Sequence, residues 1–238
     1  AYSYTVVAAD VDAGDTVTLT GTTVPSWLTF TASTGVLTGT PTNSEVGNHA
    51  VVITATDAAG ATVTDSFVVA VANTNDAPTV ASAIAYVTNA EDVAYSLSVS
   101  GMCTDVDAGD GLAYSISGAP STITISGTTI SGTPVNADVG THTITVTCTD
   151  DAGATASDAY VLTVTNVNDA PDFTSTAVTA ATEDAAYSYT VTATDVDTGD
   201  SATLSGTTVP TWLTFTSATG VLAGTPTNAE VGSHSVVI

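Results

Sequence analysis

The 238-residue chain contains neither lysine nor arginine. With 24 acidic residues and three histidines, its formal net charge is -24 at pH 7. Nothing in it can meet phosphate, which argues against nucleic-acid partners and against attraction to an anionic membrane surface. Internal ion pairs can form only through histidine. The carboxylates must be solvated, spread apart or neutralised by bound cations. No run of about 18 apolar residues occurs, so no transmembrane helix and no direct membrane insertion are expected. A signal peptide is missing as well: Ala1 opens inside a strand-like pattern, so the chain is expected to be an internal piece of a longer product. There are only two cysteines, Cys103 and Cys148, too few for a disulfide scaffold but enough for one bridge. Phosphate loops, zinc spacings and nucleophile elbows do not occur. His49, His142 and His234 stand singly without a nucleophile partner, so the chain is not expected to be an enzyme.

What is present is hydrophobic residues at 43% and an internal repeat. Gly39-Thr40-Pro41 returns as Gly132-Thr133-Pro134 and Gly224-Thr225-Pro226, and Asn75-Asp76-Ala77-Pro78 returns as Asn168-Asp169-Ala170-Pro171. Residues 1–53 align without gaps on residues 186–238, with 40 of 53 positions identical. A period near 92 suits a small domain rather than a solenoid turn. Pro and turn formers place the joints at the two Asn-Asp-Ala-Pro segments. The expected domains are 1–77 (first strand missing), 78–170 (complete) and 171–238 (last strands missing).

Each copy reads as short alternating runs rich in Thr, Val and Tyr, such as Tyr2–Val6, Val51–Thr56 and Thr143–Thr147, without a sustained helical period. The expected fold is all-β, a tandem of Ig-like sandwiches of about seven strands each. Cys103 and Cys148 each stand two residues before an Asp, on strands that would face each other across such a sandwich. The other copies have Ala8, Ala55 and Ala193 there. The two cysteines form either a disulfide or, in a reducing compartment, a pair of buried thiols. Trp27 and Trp212 are either core anchors or an aromatic platform for sugars.

The acids cluster. Asp10, Asp12 and Asp15 recur as Asp105, Asp107, Asp110 and as Asp195, Asp197, Asp200. Asp57 recurs as Asp150 with Asp151. Asn73, Asn75, Asp76 recur as Asn166, Asn168, Asp169. After Gly-Thr-Pro come Asn43 and Glu45, Asn136 and Asp138, Asn228 and Glu230, and before the first long strand come Glu91 and Glu183. Carboxylates and carbonyls are hard oxygen ligands. Six to eight of them on a flexible joint suit Ca²⁺ better than Mg²⁺. For each acid the plain alternative is a solvated turn, and for Glu45 and Glu230 a surface turn has equal weight.

The runs Ala193–Asp200, Ala55–Gly60 and Val164–Pro171 resemble cadherin motifs. The runs Pro25–Phe30 and Thr34–Pro41 are similar to the dystroglycan-type cadherin-like, or Putative Ig, repeats of bacterial surface proteins. The resemblance spans essentially the whole chain. It implies Greek-key sandwich domains joined by calcium-binding linkers. Its first joint would use Asn43, Glu45, Asn73, Asn75, Asp76, Asp105, Asp107, Asp110 and Asp150. Its second would use Glu91, Asn136, Asp138, Asn166, Asn168, Asp169, Asp195, Asp197 and Asp200. Asp10, Asp12 and Asp57 would serve a preceding repeat. The chain departs from cadherins after Gly-Thr-Pro, where they carry Leu-Asp-Arg-Glu, and in the shorter linkers with Ala77 and Ala170. In the middle copy Pro120–Ile125 replaces the Trp-containing run.

The reading that follows is a structural or adhesive segment of a long extracellular, cell-surface bacterial protein, a rod stiffened by Ca²⁺. Its expected partners are neighbouring copies of the same repeat, in a homopolymer or filament, and a cell-surface or glycan ligand. The alternative is a carbohydrate-binding or other recognition module, which needs an exposed aromatic platform.

Overall fold

The computed structural model describes residues 1–238. The chain is all-β. Its only helical pieces are three single 3-10 turns, Asn43–Glu45, Asn136–Asp138 and Asn228–Glu230. Two compact units are present. One comprises residues 1–83, 100–115 and 146–158, the other residues 84–99, 116–145 and 159–238.

In the first unit, Thr18–Thr23, Gly47–Thr56 and Thr62–Val71 form one antiparallel sheet, and Tyr2–Thr5, Val36–Gly39 and Leu28–Thr31 form another. Alternation decides which side chains turn inward. Val51, Ile53 and Ala55 are buried while Val52 and Thr54 between them are partly exposed. With Val6, Leu28, Leu37 and Val69 they make the core, against which Tyr2, Trp27, Phe30 and Phe67 pack. The short strand Thr79–Val80 pairs with Cys103–Thr104. A disulfide joins Cys103 to Cys148.

In the second unit, Tyr95–Ser98, Thr129–Gly132 and Ile123–Ser126 form a sheet equivalent to the second sheet of the first unit. Tyr187–Thr190, Val221–Gly224 and Leu213–Thr216 repeat it once more. Leu162–Thr165 pairs in parallel with Val87–Ala90. Tyr187, Trp212 and Leu222 line a cavity of about 960 Å³. Their counterparts Tyr2, Trp27 and Leu37 are packed together with Phe67 and Val69 of the strand Thr62–Val71.

The Gly-Thr-Pro motif has a steric cause. A Cβ on Gly39 would lie 2.2 Å from the Trp27 carbonyl oxygen. On Gly132 it would lie 2.0 Å from that of Thr122, and on Gly224 2.0 Å from that of Trp212. Only glycine lets the two strands approach so closely. The proline two residues on contributes its carbonyl: Asp92 N–H donates to Pro134 O (2.9 Å) and Asp184 N–H to Pro226 O (2.8 Å). Both aspartates are left-handed, with φ of 59°.

The middle copy replaces its tryptophan with a polar solution. Thr122 Oγ1 donates to Asp138 Oδ2 at 2.6 Å, and the hydroxyls of Tyr95 and Tyr160 meet at 2.9 Å in the interior. Burial pushes both phenols above their ordinary pKa.

Adding a methyl group at Gly132 (Gly132→Ala) is expected to cost about 1–3 kcal/mol through strand separation. Leu37→Ala, in a fully buried site, should cost about 2–5 kcal/mol. Urea unfolding monitored by tyrosine and tryptophan fluorescence checks both. An unchanged midpoint for Gly132→Ala would show that the strands do not need that close approach.

Candidate metal centres

Three acid clusters are preformed. The carboxylate oxygens of Asp105, Asp107 and Asp110 lie within 4.8 Å of one another, as do those of Asp10, Asp12 and Asp15 and those of Asp195, Asp197 and Asp200. Local backbone chemistry creates this convergence. Asp105 Oδ1 accepts from Asp107 N–H at 2.8 Å, a turn repeated at Asp10 and Asp195 at 2.9 Å. Gly109, left-handed at φ 98°, then reverses the chain so that Asp110 N–H reaches the Asp107 carbonyl at 3.3 Å.

The first cluster gathers residues from both sides of the first linker. Asn43 Nδ2 donates to Asp76 Oδ2 (2.8 Å) and to Asp107 Oδ1 (3.0 Å), and Asp76 N–H donates to Asp107 Oδ2 (2.7 Å). Asn75 Nδ2 donates to Asp150 Oδ2 at 2.9 Å. Asp107 and Asp150 are buried. The second cluster repeats the pattern. Asn136 Nδ2 donates to Asp197 Oδ1 (2.7 Å) and Asp169 N–H to Asp197 Oδ2 (2.8 Å). Asn168 Nδ2 instead donates to the Asp169 carbonyl. Glu91 is wholly buried against the linker, where Oε1 accepts from Val167 N–H at 2.8 Å.

Several of these oxygens have no donor. Asp105 Oδ2, Asp110 Oδ2 and Glu91 Oε2 are buried without a hydrogen-bond partner. Desolvation and then the charges of Asp151, Asp105, Asp107 and Asp150 raise the Asp110 pKa. Desolvation, Asp197, Asp92 and Asp195 raise that of Asp169. Asp150 is the opposite case: the Asn75 amide, outweighing desolvation, holds its carboxyl below the ordinary range. Bare, converging oxygens of this kind fit a hard divalent cation, which would supply the charge that no side chain here can.

Not every expected ligand arrives. Glu45 caps its own turn instead, accepting from Thr42 N–H (2.8 Å), Thr42 Oγ1 (2.7 Å) and Ser44 Oγ (2.8 Å). Asp138 accepts from Val135 N–H and Thr122 Oγ1. Glu230 does as Glu45 does, through Thr227. Asn73 and Asn166 are exposed linker positions. Asp57 Oδ1 closes a turn onto Ala61 N–H at 2.8 Å, as Asp150 Oδ1 does onto Ala154 N–H at 2.7 Å, so this bond does not set Asp57 apart from Asp150. Two acids not singled out as ligands belong with the clusters. Asp151 Oδ2 accepts from Gly111 N–H at 3.2 Å, and Asp92 presses its charge on Asp169. Trp27 stands edge-on to Tyr2 and His49, 6.1 and 5.7 Å away, and Trp212 likewise to Tyr187 and His234. Trp27 thus packs against the core rather than offering a free sugar platform.

Comparison with known proteins agrees with this architecture. The family model described as Putative Ig domain matches residues 1–72, 77–165 and 170–238. A Staphylococcus aureus protein named "Serine-rich adhesin for platelets" (strain MSSA476) is 35% identical over 164 residues, 67% of this chain and 7% of its own length. Its counterpart in strain MRSA252 is 35% identical over 153 residues, 63% of this chain and 11% of its own length. The chain thus spans about a tenth or less of these relatives. Among solved structures, mouse cadherin-23 EC22-24 superposes with a TM-score of 0.56 at 23% identity, over 94% of this chain and 80% of that one. Human mucin-like protocadherin EC1-2 gives 0.51 at 17%, over 66% and 87%. These likenesses are of fold: Ig-like and cadherin-like β-sandwich domains.

Removing the amide donor with Asn75→Ala should move the Asp150 pKa upward, toward the ordinary carboxylate value. In the wild-type chain the contribution of this contact is present above the ordinary Asp range and is lost as pH falls through the depressed value. Carboxyl-carbon NMR titration of both proteins without calcium reads this directly. An unmoved Asp150 titration would mean that Asn75 is not the cause.

Proposed function

The chain belongs to the Putative Ig domain family, and from that premise we propose that it is a structural and adhesive segment of a longer bacterial surface protein. Its repeats are bounded at 1–77, 78–170 and 171–238, and Ca²⁺ stiffens the joints between them. One observation carries this reading. Carboxylates of one repeat converge on the linker and the Asn of the preceding repeat, with bare buried oxygens among them, in a chain that has no cation of its own.

The first joint uses Asp105, Asp107, Asp110 and Asp150 with Asn43, Asn75 and Asp76. The second uses Glu91, Asp195, Asp197 and Asp200 with Asn136, Asn168 and Asp169. Asp10, Asp12 and Asp57 would serve a repeat before the first. Glu45 and Asp138 serve their own turns instead. Bound Ca²⁺ supplies positive charge and accepts six to eight oxygen ligands. The residues supply the rest. An amide carries a donor and an acceptor, so Asn43, Asn75 and Asn136 can quiet the carboxylates through N–H and face a cation through oxygen. Like charges on two repeats oppose a fixed joint until they are neutralised.

Adhesion is supported by the name of the staphylococcal relatives. The fitting partners are neighbouring copies of the repeat and a cell-surface or glycan ligand. An extracellular setting also fits the disulfide and the absence of any Lys or Arg at which a trypsin-like protease would cut.

Calcium titration by calorimetry, with small-angle scattering of the same samples, tests the reading. Several ions should bind, and the particle should become longer and less variable. Asp107→Asn and Asp197→Asn should each weaken one joint by about tenfold or more, since even outer-shell partners cost that much. No binding at millimolar calcium would overturn the proposal and leave the acid clusters as solvated turns.

A further inference from the structure

We propose that the Cys103–Cys148 disulfide is a positioning element for the first acid cluster, setting the geometry of its ligands before any cation arrives. The proposal rests on the calcium reading above and extends it to one joint only.

The two sulfurs stand at corresponding places in the two ligand-bearing segments. Cys103 is two residues before Asp105, which opens the Asp105–Asp110 loop, and Cys148 is two residues before Asp150. The bridge links residues 45 apart in sequence and both cysteines are buried. Beyond the bridge, the loop runs on into the strand Ala113–Ser117, which pairs with Gly140–Thr149, the strand that carries Cys148. The far end of the loop is thus held by strand pairing, and the bridge acts on its entrance. Gly111 N–H reaches Asp151 at 3.2 Å, while the loop holds the linker through Asp107 and the other segment holds it through Asp150. The strand leading into the loop is only two residues long, Cys103–Thr104 paired with Thr79–Val80, so ladder hydrogen bonds anchor it weakly.

Charge works against this arrangement. Asp105, Asp107 and Asp110, whose carboxylate oxygens lie within 4.8 Å of one another on one segment, face Asp150 and Asp151 on the other, where Asp151 reaches Gly111 beside the loop, and like charges repel. A covalent tie at the base of both segments opposes their separation when no cation is present. The corresponding positions in the other copies are Ala8 and Ala55 in the first and Ala193 in the third. Their clusters therefore have no such tie, and the second joint is an internal control.

The test compares the intact chain with Cys103→Ala/Cys148→Ala, which installs the residue the other repeats already carry. Calcium affinity is read joint by joint from the NMR shifts of the Asp76 and Asp169 amides. The first joint should weaken by about tenfold while the second stays within about twofold, the pattern expected when pre-organisation is lost at one site. In calcium-free protein, amide hydrogen exchange should quicken in residues 104–111 and 150–154 but not in 195–200. Unchanged affinity and exchange at the first joint would overturn the proposal. Equal weakening at both joints would also overturn it, because that is the mark of general destabilisation. If the intact chain binds no calcium at either joint, the calcium reading itself fails, and the exchange comparison alone decides whether the bridge positions the segments.

Discussion

A chain with 24 carboxylates and no lysine or arginine has one dominant constraint: each acid must find water, an N–H group or an outside cation. Much of the local structure consists of answers to it. Asp10, Asp105 and Asp195 take the amide two residues on. Glu45, Asp138 and Glu230 take the amide that opens their own 3-10 turn. The linkers spend their N–H groups in the same way, Asp76 and Asp169 on Asp107 and Asp197, and Val167 on Glu91. What remains is a few buried oxygens with no donor, at the places where one repeat meets the next.

The repeats share one scaffold and vary it where packing allows. Gly39, Gly132 and Gly224 are fixed because a Cβ would strike a neighbouring carbonyl. Around that close approach the contents differ. The outer copies fill it with tryptophan set edge-on to tyrosine and histidine. The middle copy uses a threonine hydrogen-bonded to Asp138, and nearby a pair of tyrosine hydroxyls. Such polar groups survive burial because they satisfy each other. The disulfide is the other special feature of the middle copy, and its two cysteines stand two residues before Asp105 and Asp150.

The all-β class was legible because period-2 alternation and punctuating turn residues persist along the chain. The convergence of alternate aspartates was legible for the same local reason, since an Asp-x-Asp turn needs only its own backbone. The roles of Glu45 and Asp138 were harder. Both follow Gly-Thr-Pro beside an Asn that does reach its cluster. Yet Thr42 and Glu45 stand in the Ser/Thr-x-x-Glu spacing of a capping box, a signal for the turn reading. Asp138 follows Val135, which has no hydroxyl, so its bond to Thr122, 16 residues away in another turn, could not be read from spacing. Asp92 was missed as a member of the clusters, and Asp151, grouped with Asp150 from the sequence, was not named as a ligand, because both associations depend on how the chain returns to the linker.

The pKa shifts give the joints a direction of response. Asp110 and Asp169 have raised pKa values, so ionising them disfavours the calcium-free fold. Their contribution therefore weakens as pH rises from the ordinary Asp range through the raised values. Asp150 contributes in the opposite sense, its stabilisation disappearing as pH falls through a depressed value. The first cluster thus holds one carboxylate already satisfied by an amide and another whose ionisation is disfavoured. A proton relieves the second only by removing a ligand, whereas a divalent cation relieves it and keeps the ligand. On the calcium reading proposed above, that difference favours a metal ion over acid as the switch at these joints.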